Sequence, residues 1–258
     1  MRVGASTDFS RVQYVKDAGY DYLELSLFAV SKLTDEEFEE KLELVKSLGL
    51  KVEAFNGFFG PTVTLVGENA DLEGARQYVK KALARAKRLG GEIAVFGSGG
   101  LRSIPEGFDR EKGLKQLDDV IWMLGEEGEK VGITIVLENL NRRETNTLTT
   151  VAEVLETVKR VNHPNVRGLV DFYHLFMENE SLDSVRNSEG LIAHAHLARP
   201  NPDRKIPDMD DAGPIREWRK SLDDCGYNVR ISIEASPRGE GTYPVDIMKA
   251  REVMKIFE

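Results

Sequence analysis

Short apolar runs alternate with longer stretches whose apolar positions recur every three or four residues, from one end of the chain to the other. The short runs read as strands: Arg2–Ser6, Asp21–Leu27, Lys51–Asn56, Glu92–Gly97, Ile133–Asn139, Val166–Asp171, Leu191–Leu197 and Val229–Ala235. The longer stretches read as helices. Thr34 with Glu37 makes a capping box, Phe38, Leu42 and Val45 share one face, and Gly49 ends the helix. Ala75, Val79, Ala82, Ala86 and Leu89 repeat that spacing between Asp71 and Gly90, as do Val151, Leu155, Val158 and Val161. Further helices are expected at Phe9–Ala18, Asp109–Val131, Leu175–Val185, Ile215–Cys225 and Val245–Phe257. Alternating strands and helices imply parallel strands joined by right-handed crossovers. Eight units of about 32 residues match a (β/α)8 barrel, the TIM-barrel form of α/β architecture. A doubly wound open sheet is the rival, but Ala5-Ser6-Thr7-Asp8 stands where its glycine fingerprint would be. No linker or low-complexity tract breaks the pattern, so residues 1–258 are expected to form a single domain.

Composition narrows the classes of function. Of the 258 residues 41% are hydrophobic, which is ample for a large core and excludes a disordered chain. The balance of 44 acidic against 35 basic residues, a formal charge of −9, argues against a nucleic-acid partner. No apolar run approaches the roughly 20 residues of a membrane span, and the opening MRVGASTDFS lacks the apolar segment of a signal peptide. A soluble, cytoplasmic protein with no membrane partner is the expectation. Cys225 is the one cysteine, which excludes an internal disulfide and a multi-cysteine metal site.

In such a barrel the chemistry sits at the C-terminal ends of the strands, and there four consecutive strands end in metal-ligand types. In strand five Ile133, Ile135 and Leu137 face outward by the period of two, so Glu138 points into the mouth. Asp171 closes strand six in the same way. Strand seven turns His194 and His196 inward, with His196 nearer the rim, and strand eight ends with Glu234 inward. Three carboxylates and an imidazole at one rim would repel strongly unless a cation held them. Oxygen ligands with one nitrogen suit Mn2+, Mg2+ or Co2+ better than a thiolate-seeking metal.

These residues and their spacing resemble the xylose isomerase-like barrels, and within them the ketose 3-epimerases of the D-tagatose/D-psicose type. The resemblance is strongest from strand five to strand eight. Glu138-Asn-Leu-Asn141-Arg142-Arg143-Glu144 is similar to the epimerase pattern E-x-x-N-R-x-E, and Asp171-Phe-Tyr-His174-Leu-Phe-Met-Glu178 to D-x-x-H-M-x-x-E. His194-Ala-His196 resembles H-x-H, and Arg204-Lys-Ile-Pro207 the arginine three residues before a proline, although Pro202 stands where a gapless match would place that arginine. The resemblance implies a metal site of Glu138, Asp171, His196 and Glu234, with Mn2+ the first choice. It implies Glu138 and Glu234 as catalytic acid/base residues and Glu144, His174 and Arg204 as substrate-binding residues. It also implies a small-molecule sugar or keto-sugar as substrate, and a dimer or tetramer as an assembly of the kind such proteins form.

The expected reaction is epimerisation of a ketose at C3, by proton abstraction and return through an enediolate, with the two glutamates as acid and base. An aldose–ketose isomerase of the hydroxypyruvate isomerase kind, or a keto-sugar or keto-inositol dehydratase, would use the same residues. A repair endonuclease of the same superfamily would need several more histidines than the four present. Other residues carry plainer readings. His194 lies one layer deeper and reads as core; His163, in Asn-His-Pro-Asn, reads as a surface turn. Glu144 has Arg142 and Arg143 as alternative partners. Arg102 follows a glycine-rich turn that fits an ordinary turn better than a phosphate cradle. Glu24, Glu53 and Asn56 are candidates to line the pocket, and Phe58-Phe59 to cover it.

Overall fold

Eight parallel strands close on themselves in sequence order, β1 pairing with β2 and so on to β8, which pairs back with β1. The computed structural model describes residues 1–258. The strands are β1 Arg2–Thr7, β2 Tyr22–Ser26, β3 Val52–Asn56, β4 Ile93–Phe96, β5 Thr134–Glu138, β6 Val166–Asp171, β7 Ile192–Leu197 and β8 Arg230–Ile233. The helices are α1 Val12–Asp17, α2 Leu27–Lys32, α3 Asp35–Leu48, α4 Leu72–Leu89, α5 Gly99–Arg102, α6 Arg110–Val131, α7 Val151–Val161, α8 Phe172–Met177, α9 Asp183–Arg186, α10 Ala212–Asp224 and α11 Tyr243–Met254. This is a single-domain (β/α)8 barrel. No helix is long and apolar enough to cross a membrane.

Local signals explain the long helices. At α3 the Thr34 hydroxyl accepts from the Glu37 N–H at 3.1 Å and Glu37 accepts from the Thr34 N–H at 2.8 Å, while Gly49 ends the helix at φ +66°. Phe38, Leu42 and Val45 are its buried face, as the spacing predicts. The helix expected over Leu175–Val185 is instead two short ones, α8 and α9. Asn179 adopts φ +52° between them, a left-handed conformation that no continuous helix accommodates.

The apolar core lies mostly between the strands and the helix ring. A cluster of 61 buried residues, Ile133, Ile135 and Leu137 among them, fills that layer, whereas Tyr22, Ala54, Ile93, Val95, Val136 and Leu169 form a small plug inside the barrel. The plug depends on a glycine. A Cβ at Gly4 would lie 2.3 Å from the Tyr22 ring, whose hydroxyl meets Ser232 Oγ at 2.8 Å. Below the plug, at the N-terminal ends of the strands, Glu53 pairs with Arg2 at 2.5 Å and Arg230 at 3.1 Å, and Arg230 with Glu92 at 2.5 Å. Glu53 therefore belongs to the closed end of the barrel and does not line the pocket.

Two aromatic expectations are also corrected. Phe58 and Phe59 are buried against each other and against Phe96, with ring centroids 4.9 to 6.3 Å apart, and so are core residues and not a cover. His163 is no surface turn: it is 5% exposed and packs edge-on to Trp122 at 4.8 Å, in a gap left by Gly125.

Candidate metal centre

Strand ends deliver the site, and hydrogen bonds fix its side chains. Asp171 ends β6 and caps α8: its Oδ1 accepts from the N–H groups of Tyr173 at 2.8 Å and His174 at 3.2 Å. That leaves Oδ2 for the barrel mouth. Asn139, directly after β5, ties the two strand ends together by accepting from Asp171 N–H at 2.8 Å and donating to its carbonyl at 3.1 Å. Glu234 follows β8; its Oε1 accepts from Asn56 Nδ2 at 2.7 Å, leaving Oε2 for the site. His196 Nδ1 stands 3.0 Å from Glu138 Oε1, 3.3 Å from Glu234 Oε2 and 3.9 Å from Asp171 Oδ2. One ligand atom from each of Glu138, Asp171, His196 and Glu234 thus lies within 4.8 Å of the others.

The electrostatics of this cage favour a cation. Unit charges at such separations repel by roughly 3–4 kcal/mol per pair even at an effective dielectric constant near 20. Burial and the Glu234 charge hold the Glu138 carboxyl above its usual range. Burial alone would raise Glu234 as well, but His196 and Arg204 bring it down to about 2. Burial likewise would lower His196, yet Glu24 and Glu234 push it well above the ordinary imidazole value. Hard oxygen donors with one nitrogen fit a divalent first-row or alkaline-earth ion, and no cysteine competes.

The other residues singled out in the sequence converge on the same mouth. His174 is fully buried; its Nδ1 accepts from the Asn141 N–H at 3.1 Å, which places the ring N–H at Nε2. That Nε2 has no hydrogen-bond partner and lies 3.7 Å from Asp171 Oδ2. Arg204, at φ +48°, donates from Nη2 to Asp171 Oδ2 at 3.1 Å and to Glu234 Oε2 at 2.5 Å, with its guanidinium 5.0 Å from the Tyr173 ring centre. Glu144 sits at the edge, 3.9 Å from Arg204 and held by Asn141 Nδ2 at 3.1 Å. It pairs with neither neighbouring arginine; Arg142 binds Glu178 instead. Along the loops after β8 and β1 runs a cleft of about 650 Å3, lined in part by Ser10, Arg11, Tyr14, Lys205, Ser236 and Tyr243. Lys205 and Ser236, bridged to each other, follow Arg204 directly and Glu234 by two residues in the chain.

Sequence reasoning missed several supports. Asn139 and Asn141 hold Asp171 and His174, and a polar residue directly after a strand-end glutamate was the available signal. Gly97 is another. A Cβ there would lie 2.1 Å from Glu138 Oε2, so only glycine leaves that carboxylate its place. We expect Gly97→Ala to fold, because the tip of a side chain can yield. If the cage holds a divalent ion, affinity for that ion should drop at least tenfold in a calorimetric titration; unchanged affinity would show that Glu138 tolerates the displacement. His194 is core, as expected, but it is not inert: its Nε2 meets Glu24 Oε2 at 3.0 Å.

Known proteins share this arrangement of elements. The chain is 25% identical over 255 residues to the D-psicose 3-epimerase of Agrobacterium fabrum, covering 94% of this chain and 84% of the relative. It is 24% identical over 197 residues to the 3-dehydro-D-guloside 4-epimerase of Escherichia coli, covering 73% and 72% respectively. A crystal structure of D-psicose 3-epimerase in the presence of D-fructose superposes with a TM-score of 0.82 at 22% identity, over 99% of this chain and 97% of the other. The relatives are epimerases, and the chain is an enzyme of the isomerase class. A family model of the xylose isomerase-like TIM barrel matches residues 12–255, and the chain belongs to that family.

Proposed function

We propose that the protein is a divalent-metal-dependent sugar epimerase that inverts a ketose at C3, with Mn2+ as the ion. The observation that carries this reading is the cage itself: Glu138, Asp171, His196 and Glu234 converge within 4.8 Å beside a buried, unpartnered His174 N–H. A bound divalent ion supplies Lewis-acid polarisation of the C2 carbonyl and neutralises charge that develops on its oxygen. The chain's own groups move the proton. Glu138 and Glu234 come from strands separated by two others, so they flank a sugar lying across the mouth. One carboxylate takes the C3 proton, the C–H electron pair forms a C2–C3 double bond as the C2=O π pair moves onto O2, and the carbonyl re-forms as the other carboxyl returns a proton to the opposite face of C3. Nothing is oxidised or reduced. His174 Nε2–H donates to a substrate oxygen near the carbonyl, and Arg204 and Glu144 orient the O1/O2 end.

A second reading is favoured by the cleft beside Ser236 and by the likeness to a 3-dehydro-D-guloside 4-epimerase. It places the same proton transfer at the carbon next to a ring ketone, with the remainder of a glycoside in the cleft. Incubating Mn2+-loaded protein in D2O with a panel of ketoses and 3-keto-glycosides, read by NMR, separates these readings. Deuterium at C3 together with the C3 epimer of a ketose is the expected result. Deuterium and inversion at C4 of a keto-glycoside would install the second reading. An aldose product, or loss of water, would overturn both.

A further inference from the structure

One fully buried carboxylate has no part in the mechanism above. Glu24, on β2, sits beneath the cage with both oxygens engaged: Oε1 is 2.8 Å from His196 Nε2 and Oε2 is 3.0 Å from His194 Nε2. The two rings lie edge-on with centroids 4.9 Å apart. An ionised carboxylate only accepts, so each imidazole donates to it from Nε2. For His196 this settles which nitrogen remains for the cage. With Nε2–H committed to Glu24, Nδ1, 3.0 Å from Glu138 and 3.3 Å from Glu234, is the nitrogen that would give up its proton and present a lone pair to an ion in the cage.

We propose that Glu24 is a positioning residue for the metal centre: it fixes the Nε2–H tautomer and ring orientation of His196 so that Nδ1 faces the ion, while His194 clamps its other oxygen. The clamp keeps Glu24 below the cage, where it cannot swing up as a further ligand. Glu24 is the sole polar contact of His194, whose Nδ1 is buried without a partner, so nothing else competes for that ring. A carboxylate behind a ligating imidazole also makes it a stronger donor, and losing such a partner typically lowers metal affinity 10–100-fold. The inference rests on the metal reading proposed above and deepens it. Glu24, His194 and His196 could also be taken for a second cation site. With both Glu24 oxygens accepting from imidazole N–H groups, neither facing nitrogen offers a lone pair to an ion there, and stoichiometry decides.

The test uses the full-length protein and Glu24→Gln. Calorimetric titration of the wild type should find one equivalent of Mn2+. In Glu24→Gln, folded by circular dichroism, affinity should fall 10–100-fold, because an amide cannot accept from both rings and carries no charge. In wild-type protein loaded with diamagnetic Zn2+ and labelled with 15N at histidine, long-range 1H–15N correlation should show His194 and His196 protonated at Nε2. A merely structural hydrogen bond would not move the affinity. Three results overturn the inference alone: a proton on Nδ1 of His196 in the loaded wild type, Glu24→Gln binding within threefold of wild type, or two equivalents of Mn2+. Wild-type protein that takes up no divalent ion overturns the metal reading and this inference with it. Should Glu24→Gln not fold, the wild-type tautomers and stoichiometry still decide.

Discussion

Glu138→Gln and Glu234→Gln should each lower epimerase turnover by about a thousandfold, within the range that general acid–base catalysis contributes. Each substitution keeps the shape of the side chain and removes both a ligand charge and a proton carrier. Neither should unfold the barrel. Glu138 is held above its usual range, so neutralising it leaves the melting temperature equal or slightly higher, whereas the charge of Glu234 is held by Arg204 and His196 and its loss should lower the melting temperature modestly. Isotope exchange gives the sharper measurement. With one carboxylate disabled, the other still faces one side of the substrate, and it can remove a proton and return deuterium to that same face. Exchange without inversion should therefore appear with one epimer in Glu138→Gln and with the opposite epimer in Glu234→Gln, at saturating Mn2+. Undiminished epimerisation in both variants would remove the two glutamates from the chemistry.

Arg102→Ala should be the most destabilising single change near the site, by about 3–5 kcal/mol. Arg102 is fully buried at the end of α5 and has no carboxylate partner. Its guanidinium donates to three carbonyls: Phe96 at 3.1 Å, Glu138 at 2.8 Å and Leu148 at 3.2 Å. Burial holds its pKa down at about 10, still charged at neutral pH. Removal strands those carbonyls and opens a cavity between the ends of β4 and β5. For a barrel of this size, 3 kcal/mol corresponds to a fall in melting temperature of roughly 6–12 °C. Arg102→Lys should recover part of the loss, since an ammonium reaches fewer carbonyls. A melting temperature within 2 °C of wild type for Arg102→Ala would refute this account.

Arg102 also shows where sequence reasoning ran out. Its glycine-rich surroundings read as an ordinary turn but form the short helix α5, and two of its three acceptors, Glu138 and Leu148, come from distant parts of the chain and leave no local trace. Strands and rim residues were legible because the period of two, together with a polar residue closing an apolar run, says which way a side chain points and at which end it lies. Glu138, Asp171, His196 and Glu234 all carry that signature. Glu53 does not: it lies one residue into β3, and an alternating pattern alone does not separate the two ends of a barrel. His163 failed for another reason. The groove that buries it is cut by Gly125 in a different helix, and a Asn-His-Pro-Asn turn contains no record of it. Glu24 was noticed as a pocket candidate, but its two histidine partners come from β7, and pairing across the barrel interior emerges only when the barrel closes.

Asp171 divides its two oxygens, Oδ1 to the start of α8 and Oδ2 to the cage, and this has a consequence for how the site can fail. The same carboxylate that would hold the ion also pins the backbone N–H of His174, so fraying of α8 would misplace a ligand and a substrate donor together. The centre should accordingly be lost in an all-or-none manner, with few molecules that hold an ion yet misplace the sugar.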